Sequence, residues 1–384
     1  MAWRRTVTAS KGVRVAIVTE SFLPQVNGVS NSVLRVVEHL TGAGHAVLVV
    51  APGTGPADYH GAEVIRVPAV DLPVVNSLPI GLPTRKLTTA LADFAPDVVH
   101  LASPFVVGAG GLRAARQLGV PTVAVYQTDV AGFASSYGLG IGYRAAWRWT
   151  SRLHARADRT LAPSSSAAAA LAEHGVPRVY RWGRGVDVHR FHHEHRDRVL
   201  RAELAPGGQL LVGYVGRLAA EKQLERLVAL NGQPGVRLVL TGDGPQRDRL
   251  AERLPGAVFL GPRYGADLAR VYASLDVFVH TGSHETFCQT VQEAMASGIP
   301  VLAPDSGGPR DLVEDGETGY LLPAGEPDFG AALVDRVARL ADPALRTRLG
   351  RAGRNAVAAR SWPAICTELV EHYRAVMRAD ERAA

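Results

Sequence analysis

Short runs rich in valine, isoleucine and leucine alternate with longer stretches of helical period along the chain, and this alternation limits the possible folds more than any other feature. In the first half the runs are VRVAIVT (13–19), AVLVVA (46–51), EVIRV (63–67), DVVHLA (97–102), PTVAVY (121–126) and DRTLAP (158–163). Between them lie helical patterns such as SNSVLRVVEHLTGAG (30–44), ended by Gly42 and Gly44. Near-continuous apolar strands separated by helices mean a parallel sheet covered on both faces. The series then starts again with LLVGYV (210–215), VRLVLT (236–241), AVFLG (257–261), LDVFVH (275–280) and IPVLA (299–303). Two such series predict an α/β chain of two doubly wound, Rossmann-like domains, over 12–185 and 186–360. A chain of 384 residues has the length for two full cores. RWGRGVDVHRFHHEHRD (181–197) has no apolar period and reads as a mobile linker, while SWPAICTELVEHYRAVMR (361–378) reads as an amphipathic helix outside both sheet patterns.

The formal charge is 42 − 36 = +6, with the basic residues spread from end to end. That spread argues against a nucleic-acid tail and suits anionic ligands or an anionic membrane surface. Only three of the 42 basic residues are lysines, Lys11, Lys86 and Lys222, so each is worth notice. Cys288 and Cys366 show no paired spacing, which points to a reducing cytoplasm. Arg14 and Glu20 interrupt the first apolar run, so no signal-peptide core is expected, and no stretch of about 18 uncharged apolar residues is present to span a membrane.

In doubly wound folds ligands bind beyond the carboxyl ends of the strands, so the chemistry is sought just after each run. In TESFLPQVNGVSNSV (19–33), Asn27-Gly28 makes a tight turn before a Ser-capped helix. Gly28 there lets backbone amides approach a phosphate, although an ordinary strand-to-helix turn has the same signature. GAGGLR (108–113) and GDGPQR (242–247) lack the third glycine of a dinucleotide fingerprint, and no G-x-x-x-x-G-K-[ST] occurs. Hydride transfer is demoted and a P-loop ATPase is excluded. In YVGRLAAEKQLERL (214–227), Arg217 follows the strand and Lys222 begins the next helix, so both can converge on a diphosphate. The competing role for Lys222 is a surface pair with Glu221 or Glu225. His189, His192, His193 and His195 crowd the linker without the spacing of a tetrahedral site and read as a solvated cluster. No two aspartates are separated by one residue, so the Asp-x-Asp metal signature is missing and a metal-independent site is expected.

HETFCQTVQEAM (284–295) reads as the start of a helix over 286–297, stopped by Gly298 and followed by Pro300. Glu293 falls on its polar side with Gln289 and Gln292, and Glu285 extends that side. Eight residues at about 1.5 Å rise separate the two glutamates by roughly 12 Å. Carboxylates that act together on one glycosidic carbon stand about 5–9.5 Å apart. The spacing favours holding two ends of an extended ligand over a hydrolytic pair, with a wet helix face as the plainer alternative.

Four spaced motifs, GRLAAEK (216–222), HETFCQTVQEAMASGIPVLAPDSGGPRDLVEDGETGYLL (284–322), GVDVHRF (185–191) and the NGV turn (27–29), together resemble the retaining GT-B glycosyltransferases of family 4. The resemblance runs over both domains. TESFLPQVNGVSNSVLRVVEHL (19–40), VYQTDVAGFASSYG (125–138) and RYGADLARVYASLDVFVH (263–280) are similar to the actinobacterial GDP-mannose-dependent α-mannosyltransferases that act on lipid acceptors. It implies a GT-B architecture of two facing domains, with segment 361–384 crossing back onto the first. It also implies a catalytic set of Arg217, Lys222 and Glu285, with Arg217 and Lys222 on the donor diphosphate and Glu285 on hydroxyls of the transferred sugar. Gly28 would admit the diphosphate, Glu293 would hold the ribose, and the amides of Phe287, Cys288 and Gln289 would bind sugar and phosphate. Pro262 and Arg263 would border the base, and Gly307 and Gly308 would keep the neighbouring wall open. Asn27, Gln127, Asp129 and Tyr137 are the acceptor-side candidates.

Two positions depart from the family pattern. Cys288 stands where glycine is usual, and Gln127 stands where many members have histidine; a glutamine cannot accept a proton at neutral pH. The implied partners are a nucleotide-sugar donor, GDP-mannose, and a lipid or glycolipid acceptor, with no nucleic acid and no further cofactor. The implied location is the cytoplasm, at the inner face of the plasma membrane. GIGYRAAWRWTSRLHARAD (140–158) combines Trp147, Trp149 and Leu153 with Arg144, Arg148, Arg152 and Arg156, which suits lying on anionic lipid and equally suits a core helix with basic flanks. The alternatives are a UDP-sugar-dependent enzyme of glucosyl or sulfoquinovosyl type, a two-domain sugar-binding protein without chemistry, and a GT-B epimerase.

Overall fold

The apolar runs form two parallel sheets. The computed structural model describes residues 12–70, 80–127 and 140–381. The first sheet takes Arg14–Thr19 (β1), Ala46–Pro52 (β2), Asp58–Tyr59 (β3), Ala62–Val67 (β4), Val98–Ala102 (β7), Thr122–Val125 (β8), Arg159–Ala162 (β9) and Val179–Arg181 (β10). Ala69–Val70 (β5) and Ile80–Gly81 (β6) make a separate antiparallel pair. The strand order is β10-β9-β8-β7-β1-β2-β4-β3, with only β3 running antiparallel. The second sheet is Leu210–Val215 (β11), Val236–Thr241 (β12), Val258–Gly261 (β13), Val277–Val279 (β14), Val301–Pro304 (β15) and Gly319–Leu322 (β16), in the order β13-β12-β11-β14-β15-β16. Each order reverses once, beside β1 in the first sheet and beside β11 in the second, and crevices form at such reversals.

Strand β1 is buried on both faces from Val15 to Val18, as a central parallel strand must be. The Gly28–Gly42 helix covers it with Val33, Val36, Val37 and Leu40, spaced for one helical face. Its cap corrects the sequence reading. Asn27, not a serine, caps the helix: Oδ1 accepts the amides of Val29 and Ser30 at 2.9 and 3.0 Å, and Ser30 Oγ accepts the Asn27 amide at 2.8 Å.

The 181–197 segment crosses between the domains and is anchored in both cores, although His189, His193 and His195 are exposed. Trp182 lies in the core of the first sheet, and Val186 and Phe191 lie in that of the second. These anchors are irregularly spaced, so no periodicity reveals them. The Trp362–Glu381 helix returns to the first sheet and buries Ile365, Cys366, Leu369, Val370, Tyr373 and Val376 there. Trp182 Nε1 donates to Ile365 O at 2.9 Å, and Tyr373 Oη meets the buried His100 Nδ1 at 2.5 Å. Among the described residues no helix is long and apolar enough to cross a membrane.

Two helix predictions differ in the structure. Lys222 does not begin a helix; it ends the 3-10 turn Ala220–Lys222, and Gln223, at φ +52°, separates that turn from a second over Leu224–Leu230. The helix predicted over 286–297 is Gln289–Ala296, because Cys288 sits at φ +78° and a left-handed residue cannot continue a right-handed helix.

Candidate active site

Three charged side chains meet beyond the carboxyl ends of β11 and β14. Lys222 Nζ lies 2.5 Å from Glu285 Oε1, and His280 Nε2 lies 3.4 Å from the same oxygen. The loops that carry them are tied together: Thr281 Oγ1 donates to Lys222 O at 2.6 Å, and the Ser283 amide donates to Gln223 Oε1 at 2.9 Å. Burial works against a charge on Glu285, but Lys222 and His280 outweigh it and hold the carboxyl well below the usual carboxylate range. Burial also opposes a charge on His280, yet Cys288 and Glu285 raise it to about 9. Among the described residues neither ring nitrogen of His280 makes a hydrogen bond, so its attraction to Glu285 is that of an ion pair at 3.4 Å. His280 is a residue the sequence reading missed. Its one signal was position, the first residue past β14.

Lys222 pairs with neither Glu221 nor Glu225; Glu225 instead meets Arg249 and Arg253. Arg217 stands more open, with its side chain 44% exposed and Nη1 3.7 Å from Glu221 Oε1. A contact that long on the surface contributes little, which leaves the guanidinium available to an anion.

Glu293 has a different setting. Tyr272 Oη donates to its Oε2 at 3.0 Å, and burial raises its pKa to about 7. The rise of roughly 12 Å along one helix does not describe the separation from Glu285, because residues 285–288 form a turn. The two carboxyls nonetheless share no partner, and their pKa values are pushed in opposite directions. The polar side of this helix is not wet either. Gln292 is fully buried and donates to Arg184 O at 3.1 Å, and Gln289 donates to Gly185 O at 3.0 Å.

Phe287 is a core residue, and Cys288 is buried beside it. The Gly308 amide donates to Glu285 O at 2.7 Å, and a Cβ at Gly308 would stand 2.2 Å from Phe287 O. Gly307 and Gly308 therefore do not keep a wall open. Their bareness is filled by the 285–287 backbone.

From the first domain, Gln127 reaches this corner at the end of β8, nearly buried. Its Oε1 accepts Arg184 Nη2 at 3.1 Å and its carbonyl accepts Thr286 Oγ1 at 3.1 Å. Asn27 spends its side chain on the helix cap and on Ser21 Oγ, 2.7 Å away. Asp129 and Tyr137 lie outside the described residues. Over Gly28 the space belongs to a residue not singled out from sequence, since a Cβ there would stand 3.1 Å from Arg184 Nη1. The amides near GAGGLR are already satisfied by the protein's own carboxylate: Glu20 accepts from Phe105, Val107 and Gly108 at 2.7, 3.2 and 2.8 Å.

Pro262 and Arg263 are exposed just past β13, the edge strand, and Arg263 Nη1 donates to Pro262 O at 3.1 Å. Strand β12 stands between β13 and β11, so these two residues follow a different strand end from Lys222 and Glu285. Among the described residues the grouping compact enough for a metal ion is His192, His193 and Glu194, whose ligand atoms lie within 4.8 Å. Arg354 Nη1 donates to His193 Nδ1 at 2.7 Å, which occupies that nitrogen and places a cation beside it. In the Gly140–Arg156 helix, Trp147 and Leu153 face inward, so they are not part of an outer face. Tyr143, Arg144, Arg148, Trp149, Arg152 and Arg156 are exposed, with Trp149 Nε1 donating to Phe105 O at 2.9 Å.

The family model described as Glycosyltransferase Family 4 matches residues 26–190, and the one described as Glycosyl transferases group 1 matches residues 196–356. The chain is 57% identical over 371 residues to a GDP-mannose-dependent alpha-mannosyltransferase of Mycobacterium tuberculosis, across 95% of this chain and 97% of the relative. A protein of the same description from Corynebacterium glutamicum is 46% identical, across 96% of this chain and 91% of the relative. Among solved structures, sucrose-phosphate synthase from Thermosynechococcus elongatus matches with a TM-score of 0.79 at 24% identity, across 95% of this chain and all of that one (100%), which is a likeness of fold.

Proposed function

We propose a donor and an acceptor for this chain, which belongs to glycosyltransferase family 4 and is a retaining GT-B glycosyltransferase. The donor is GDP-mannose and the acceptor is lipid-linked. The donor reading rests on identity that runs through both domains to relatives of that description. The chemistry rests on one observation, a Glu285 carboxylate held by Lys222 and His280 at the mouth of the second sheet.

Arg217 and Lys222 take the diphosphate, and Glu285 accepts hydroxyls of the mannose. Glu285 is tied to two cationic partners, which makes it a poor nucleophile, and Gln127 cannot accept a proton at neutral pH. The acceptor oxygen therefore attacks the anomeric carbon from the face that the diphosphate leaves. The bond from that carbon to the phosphate oxygen breaks, the new glycosidic bond forms, and the acceptor proton passes to the departing phosphate oxygen. Approach of the first domain excludes water from this step. The exposed Tyr143 and Trp149 beside Arg144, Arg148 and Arg152 support a lipid acceptor at an anionic membrane face.

The test incubates purified protein and a membrane lipid extract with GDP-mannose or with UDP-glucose. Consumption of GDP-mannose with a mannosylated, organic-phase product in the mass spectrum is the expected result. Turnover of the UDP-sugar alone would overturn the donor, and a product confined to the aqueous phase would overturn the acceptor.

A further inference from the structure

Arg184 is a nearly buried guanidinium, 8% exposed, at the crossing between the two domains. Its backbone is bolted to the donor side, because Gln292 Nε2 donates to its carbonyl and Gln289 Nε2 donates to the carbonyl of Gly185. Its side chain points the other way. Nη2 donates to Gln127 Oε1 at 3.1 Å, and Nη1 lies beside Gly28. Among the described residues Arg184 forms no ion pair within 4.0 Å, and Nη1 has no hydrogen-bond acceptor. Burial pushes the guanidinium down to about 10, and the charge of Glu285 offsets only part of that.

Gly28 opens the Gly28–Gly42 helix, whose first turn contains no acidic residue. The positive end of a helix and a buried guanidinium thus stand side by side. A buried cation without a carboxylate partner is costly, and an anion placed beside it at the Gly28 amide would relieve it, while Asn27 Oδ1 already takes the amides of Val29 and Ser30. Gly28 has the bareness this needs, since a methyl there would press on Nη1.

We propose that Arg184 and the Gly28 backbone amide form an anion corner for the donor's diphosphate, with Arg184 as a third cation beside Arg217 and Lys222. The inference rests on the nucleotide-sugar reading above and extends it to a residue of the interdomain crossing. Because the cation travels with the donor domain and the Gly28 amide belongs to the other, a bound diphosphate would also draw the two together. A phosphate or carboxylate on the acceptor has the same chemistry, and the measurements below separate the two sources.

The full chain is compared with Arg184→Met, Arg184→Lys and Gly28→Ala by calorimetric titration with GDP and with guanosine, after thermal melts show that each variant folds. Arg184→Met is expected to weaken GDP about 10- to 100-fold, the range for losing one charge-assisted contact, while leaving guanosine unchanged. Arg184→Lys should recover part of the loss, and Gly28→Ala should weaken GDP in the same direction. GDP binding within about twofold of the unsubstituted chain would overturn the proposal, whatever happens to the acceptor KM. Equal losses for GDP and guanosine would also overturn it, since a structural role has that signature. If the methionine variant does not fold, Arg184→Lys is read by the same criteria, with a loss of several-fold expected. An unsubstituted chain that binds UDP and not GDP refutes the donor reading instead, and the comparison is then made between UDP and uridine.

Discussion

At the scale of single residues, the candidate site gathers a buried imidazole and partly buried charges whose pKa values are shifted. The His280 value is raised, so its imidazolium contributes fully below the unfolded value of about 6.5, and that contribution is lost as pH rises through about 9. The groups facing it are Glu285, Lys222 and Cys288. Turnover should therefore fall between roughly pH 8 and 10, and His280→Asn should lower the rate at pH 7 and remove that limb of the profile. Glu293 is also raised, by burial, to about 7. The folded state favours its acid form, so its stabilising contribution is complete below about 4.5 and is lost as pH rises through about 7. The carboxylate that would accept ribose hydroxyls appears over that same rise. The donor KM should fall between pH 6 and 8, and Glu293→Gln should flatten the trend. Cys288 adds a conformational effect. At φ +78° glycine is at ease and a β-branched side chain is not, so Cys288→Val should lower the Tm while Cys288→Gly should hold it within a degree or two or raise it.

At the scale of elements, the strands were legible because each apolar run reports on its own burial, and β1 and β11 coincide with the runs read from sequence. The turns were not. Residues 286–288 look helical by period, yet the backbone of 285–287 packs against Gly307 and Gly308, and Cys288 is forced left-handed before the helix can begin. Gly308→Ala puts a methyl 2.2 Å from Phe287 O and must displace that turn. Overpacking of this kind costs about 1–3 kcal/mol, or roughly 2–8 °C in Tm. Turnover should fall further than stability, because Glu285 rides on the displaced turn; unchanged kcat with a lowered Tm would separate the turn from the chemistry. The 3-10 turns around Lys222 were unreadable for a similar reason, since their shape follows from the contacts with Thr281 and Ser283.

At the scale of the molecule, the second domain grips the first away from the charged cluster. Asp311 accepts the Ser165 amide and hydroxyl, both at 2.5 Å, and Arg181 Nη2 at 2.6 Å. Ser165 opens the Ser165–Glu173 helix, so a carboxylate of one domain caps a helix of the other. Asp311→Ala should widen the particle in small-angle scattering and lower kcat a few-fold, with little change in Tm; an unchanged scattering profile would deny the clasp a part in domain approach. By itself, the sequence determined the two parallel sheets and the positions of Arg217, Lys222, Glu285 and Glu293 near strand ends or on one short helix. Hydrophobic period is a local property, and strand ends follow from it. Only the tertiary structure decided that Lys222 pairs with Glu285 and not with its chain neighbours, that His280 joins them, and that Arg184 fills the space over Gly28. Charge interactions depend on distance in space and on the burial around them, and neither is set by distance along the chain.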